Sequence, residues 1–169
     1  MMRKAAAWLR RRAENVAAAM VAVMFAAFVV QIVFRYFLNF PVGWTSELTV
    51  VMWLWLVLWG AAFVVEEREE IRIDLLSAAA GRRTRIAMGL VTALALLALY
   101  GASLPASYSY VTFMKVESSS YLKIRMDWLF SIYLAFLVAI LVRYLWIVWH
   151  LLRGREPEAA AATKASSAL

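Results

Sequence analysis

Arg35 and Glu47 are the charged residues in this sequence best placed to do chemistry. They flank the stretch Leu38-Asn39-Phe40-Pro41-Val42-Gly43-Trp44, where Pro41 and Gly43 act as helix breakers. An antiparallel helical hairpin with its turn there brings both charges to the same depth. Two readings are open: an interfacial ion pair that pins the hairpin, or a contact with another membrane subunit or a periplasmic protein. Thr45 or Ser46 can cap the second helix, placing Glu47 in the first turn, where the helix dipole favours an anion. Proton coupling fits less well, because Glu47 falls near the end of its apolar run and not at the middle.

Catalytic and metal chemistry find little support. The chain has no cysteine, hence no disulfide framework, thiolate site or thiol nucleophile, and its one histidine, His150, excludes any site needing paired histidines. HExxH, GxSxG, Gly-rich phosphate loops and kinase-type elements are absent. Ser118, Ser119 and Ser120 have no histidine near in sequence and read as loop residues. The acids Glu66, Glu67, Glu69, Glu70 and Asp74 read as a solvated charged turn, since adjacent carboxylates on a helix point apart. Arg143 interrupts an apolar run about two turns from its end; it can snorkel to the headgroups or meet another subunit.

The elements that position these residues are long and apolar. Hydrophobic residues make up 65% of the 169 and charged residues 17%, against about 45–50% and about 25% in soluble domains. A soluble fold of this size cannot hide that much apolar surface. Charge-free runs cover Asn15–Phe34, Leu48–Val65, Ile86–Met114 and Trp128–Val142, and about 20 apolar residues cross a bilayer. The sequence therefore predicts an all-α membrane protein of four transmembrane helices, over about 15–37, 46–65, 86–107 and 127–152. Pro105 and its Ser/Tyr neighbours mark where the third span kinks or leaves the membrane. Asp74 as N-cap and Gly81 as stop frame a short cytoplasmic interfacial helix, Leu75–Ala80, between spans two and three. Residues 1–152 form one membrane domain, and 153–169 read as a disordered cytoplasmic tail.

Charge sets the orientation. Thirteen Lys and Arg residues precede span one, lie between spans two and three, or follow span four; Arg35, Lys115, Lys123 and Arg125 lie on the other side. The positive-inside rule places both termini in the cytoplasm. The net charge of +7 thus reports topology, and the scattering of the basic residues argues against nucleic acid. Span one is expected to stay, being too long for a signal-peptide core and lacking a small-residue cleavage site. Trp8, Tyr36, Trp44, Trp128, Trp146 and Trp149 read as interfacial anchors. Lys123 and Arg125 run against the usual periplasmic charge bias and are candidates for docking a partner.

The segment Gln31-Ile-Val-Phe-Arg35-Tyr36-Phe-Leu-Asn39-Phe-Pro41-Val-Gly-Trp44-Thr-Ser-Glu47-Leu48 resembles the small membrane subunit (DctQ-like family) of tripartite ATP-independent periplasmic (TRAP) transporters. The resemblance continues through Trp55, Gly60 and Ala61 to Ile71-Arg72-Ile73-Asp74, and spans about residues 15–152. It departs from the family pattern at Glu70, where a His is common, and at 122–127, where a Pro is common. It implies an accessory subunit beside a larger sodium-coupled carrier, with a periplasmic binding protein delivering an organic acid. It also implies that Arg35, Tyr36, Asn39, Trp44, Glu47, Arg72 and Asp74 serve hairpin or partner contacts. A bacterial inner-membrane location, no cofactor and no enzymatic activity follow. The residues agree with an accessory role, since no internal repeat or mid-span charge marks a substrate site. The competing reading, a small homodimeric proton-coupled cation or drug exporter, needs a mid-membrane carboxylate, and the candidates lie at span ends.

Overall fold

A bilayer leaves a backbone two ways to satisfy its polar groups, and this chain uses the helical one. The computed structural model describes residues 2–40, 42–65 and 81–153. They form α1 (Met2–Tyr36), α2 (Gly43–Trp59), α3 (Arg82–Phe113) and α4 (Met126–Leu152). A π-helical turn, Gly60–Val64, extends α2, and a 3-10 turn, Met114–Val116, extends α3. The apolar helical stretches run Trp8–Tyr36, Gly43–Val64, Arg82–Val116 and Met126–Leu152, the shortest being 22 residues. At 1.5 Å per residue that stretch is about 33 Å long, against about 30 Å of hydrocarbon. All four helices are long and apolar enough to cross a membrane, as expected for an all-α membrane protein.

Three local features stand out. Helix α3 continues through Pro105 to Phe113, so the Ser/Tyr stretch is helical. A lost hydrogen bond at one proline is tolerated in a long apolar helix, where local adjustment and neighbours satisfy the freed carbonyl. Helix α2 starts earlier, at Gly43, with extended Val42 as its N-cap and no side-chain cap. Thr45 instead donates its hydroxyl to the Val42 carbonyl (2.9 Å), and Ser46 Oγ accepts from Gln31 Nε2 on α1 (3.0 Å). The interfacial helix 75–80, the acidic run before it and the tail from 154 lie outside the described residues.

The described residues divide into two compact units, Met1–Val64 with Ser107–Phe136, and Val65–Ala106 with Leu137–Leu169. In the first, α1 packs on α2, with Ala13 and Ala27 buried. Small residues let backbones approach closely, which matters where lipid supplies no hydrophobic drive for helices to associate. Two tryptophans of α2 then spend their only polar group on another helix's backbone. Trp59 Nε1 donates to Ala13 O (3.1 Å) and Trp55 Nε1 to Leu129 O (3.0 Å). In the second unit, Leu137 is fully buried, and Arg143 Nη2 donates to Val65 O at 3.1 Å, just past the π turn. The bond sets the Arg143 cation against a carbonyl at the end of the described part of the second span.

Helix α1 ends through Asn39. Phe37 N–H reaches Val33 O (2.9 Å), Asn39 takes the left-handed conformation (φ 49°), and Phe40 N–H turns back to Phe34 O (3.0 Å). Asn tolerates that conformation and a β-branched residue does not. Asn39→Gly should keep the thermal stability of the detergent-solubilised chain, and Asn39→Val should lower it by about 1–2 kcal/mol, read from melting curves.

Candidate functional site

The motif residues Tyr36, Asn39, Trp44 and Glu47 and the basic pair Lys123 and Arg125 all fall in the first unit, on the α1–α2 turn and on the loop between α3 and α4. That loop is short and closely bonded. Ser118 and Arg125 form an isolated antiparallel bridge. Ser119 N–H donates to Ile124 O (2.9 Å), Met126 N–H to Glu117 O (3.0 Å), and Ile124 N–H to Ser119 Oγ (3.0 Å). Ser119 is 3% exposed, and its hydroxyl closes the loop from inside. Lys123 sits at the tip in the left-handed region (φ 54°).

Glu47 joins this loop to α2. Its Oε2 accepts Tyr121 N–H at 2.7 Å and Leu122 N–H at 3.4 Å. Its Oε1 is buried without an aligned hydrogen bond, with the Ser119 hydroxyl close by. The ion pair expected between Arg35 and Glu47 therefore does not form within this chain. The carboxylate is committed to loop amides, while the Arg35 guanidinium lies 6.0 Å from the ring centroid of its neighbour Tyr36. An unpaired amide at a turn is a directional donor close at hand, and a flexible arginine on an exposed helix end is not.

The other expected residues divide. Arg125 grips Asp127 bidentately, Nε to Oδ1 at 3.1 Å and Nη2 to Oδ2, and Asp127 Oδ1 also accepts Trp128 N–H at 2.9 Å. Its charge is thus neutralised at the start of α4, whereas Lys123 is exposed and in no ion pair among the described residues. Tyr36 is 74% exposed and Trp44 40% exposed. Arg72 and Asp74 lie outside the described residues. Sequence reasoning gave Gly43 only as a helix breaker and Ser119 only as a loop residue, and it missed Tyr121. A Cβ on Gly43 would fall 2.2 Å from Tyr121 Cζ, so the tyrosine ring occupies the space a side chain would take. The Pro/Gly turn was visible, but its partner lies in a distant loop, and no local pattern links the two. Among the described residues, no group of three His, Cys, Asp or Glu could hold a metal ion.

Four spanning helices, a loop clasped by one carboxylate and exposed aromatic residues at the same end define a small polytopic membrane protein. The model of the family described as tripartite ATP-independent periplasmic transporters, DctQ component, matches residues 24–154, and the chain belongs to that family. The match takes in the hairpin, the Glu47 clasp and all of α2 to α4. No curated protein matches the chain.

If Glu47 serves the loop and not Arg35, swapping the two charges gains nothing. Arg35→Glu combined with Glu47→Arg should leave the purified chain as poorly recovered as Glu47→Arg alone, compared by size-exclusion yield. Restoration by the double reversal would show an ion pair.

Proposed function

We propose that this chain is the scaffolding subunit of a TRAP-type secondary transporter for organic acids. It holds and orients a larger membrane subunit that carries out the transport, and a periplasmic substrate-binding protein completes the system. The family match over residues 24–154 carries this reading. The exposed helix faces support it, since no span buries more than 17% of its most apolar stretch within the chain. Phe25, Leu99 and Val91 are each at least 65% exposed. Such faces are open to lipid and to the helices of a partner.

Both termini lie in the cytoplasm of a bacterial inner membrane in this reading, on the strength of the thirteen basic residues on that side. The α1–α2 turn and the loop carrying Lys123 then face the periplasm. There the exposed Lys123, in the same unit as the exposed Tyr36 and Trp44, is available to the binding protein or to the large subunit. Arg72 and Asp74 belong to the cytoplasmic side and are assigned to contacts with the large subunit. The exporter reading has less behind it, because Glu14, Glu47 and Asp127 all lie outside the charge-free runs.

Purification in mild detergent should recover a polytopic protein of about twelve spans in stable stoichiometry with this chain. Proton-coupled efflux by the chain alone in proteoliposomes would instead establish the exporter. Reporter fusions should place the N- and C-terminal ends on the cytoplasmic side and an insertion at residue 120 in the periplasm; the opposite pattern would invert the assignment.

A further inference from the structure

The first turn of α2 is shaped around a single loop residue. Gly43 and Glu47 stand four apart, hence on one face of the helix. The Tyr121 ring lies over Gly43, and the Tyr121 amide donates to Glu47 Oε2 at 2.7 Å. One residue supplies room and the next supplies an acceptor. Glu47 is in no ion pair among the described residues: it bonds to the Tyr121 and Leu122 amides beside the Ser119 hydroxyl, and Lys123 acts on it only as a nearby charge. The loop so held carries Tyr121, 65% exposed, and Lys123, an exposed cation fixed in the left-handed region.

We propose that Glu47 is a positioning residue that works as a hydrogen-bond acceptor and not as an ion-pair partner. With Gly43 it seats the 119–122 segment on α2, so that Tyr121 and Lys123 are presented in one fixed geometry to an acidic surface of the periplasmic partner. The assignment of that partner rests on the proposed function; the seating of the loop does not. A loop already ordered before contact binds without the ordering cost that a mobile one would meet. The basic neighbour Arg125 is neutralised by Asp127, which leaves Lys123 as the loop's cation for an acidic surface to meet.

The test compares Glu47→Gln with Glu47→Ala in the full chain in lipid nanodiscs, by hydrogen exchange of the Tyr121 and Leu122 amides. Glutamine keeps a carbonyl acceptor and loses only the charge. Alanine should speed exchange at both amides by about tenfold or more, and glutamine should stay within about threefold of the parent. Gly43→Ala should raise exchange in the same way, and adding Tyr121→Ala, which removes the displaced ring, should return Leu122 to its original rate. In the reconstituted complete transporter, Glu47→Ala should raise the concentration of loaded binding protein needed for half-maximal transport and leave the maximal rate in place, and Glu47→Gln should restore it. A glutamine variant as defective as alanine in exchange would overturn the acceptor role. Unchanged exchange in Glu47→Ala and in Gly43→Ala would overturn the seating itself. Faster exchange with no change in half-saturation would overturn the docking role and leave the subunit assignment standing.

Discussion

Every backbone N–H and C=O of this chain that sits in hydrocarbon has to find its partner without water. The helices meet that demand along their lengths, and side chains meet it where the helices end or touch. Trp59 and Trp55 donate to carbonyls of α1 and α4, Arg143 to the carbonyl of Val65, and Glu47 accepts two amides of the loop before α4. These four side chains differ in charge and size, yet each ties its own helix to the backbone of another segment. Seen this way, Trp55, Trp59, Arg143 and Glu47 serve the structure of the chain itself.

The four apolar helices were legible in the sequence, because charge-free runs about 20 residues long have few alternatives. Asn39 and Glu47 were also legible as residues that matter. What each does was not. A hairpin brings Arg35 and Glu47 close in sequence terms, and opposite charges invite pairing. The competing acceptor site for loop amides lies more than seventy residues away, at Tyr121 and Leu122. Pro105 lies inside a helix that continues to Phe113, as a long apolar helix allows. The capping roles of Thr45 and Ser46 were misassigned because other acceptors and donors, Val42 O and Gln31, competed for their hydroxyls.

The site at the α1–α2 turn is asymmetric in what it keeps and what it offers. Arg125, Asp127, Ser119 and Glu47 are consumed in holding the loop. Tyr36, Trp44, Tyr121 and Lys123 remain available. Buried or bonded groups thus set the shape, and the exposed ones supply contact. An accessory subunit would need that division of labour, because its value lies in geometry supplied to other proteins.

The π turn at Gly60–Val64 bears on how the exposed face of α2 should be read. An α-helix advances about 100° per residue, and a wider turn slips that phase by roughly one residue. The Gly60 amide itself still bonds in the ordinary register, to Leu56 O with Val57 O shared, so the widening begins after it. A stripe traced from Trp44 at the regular spacing therefore leaves its own face once it passes Gly60. Residues on either side of that point that look aligned on a helical wheel face different directions, and those that look misaligned share a neighbour. The second span is two short rulers joined with an offset, and each must be laid against its surroundings separately.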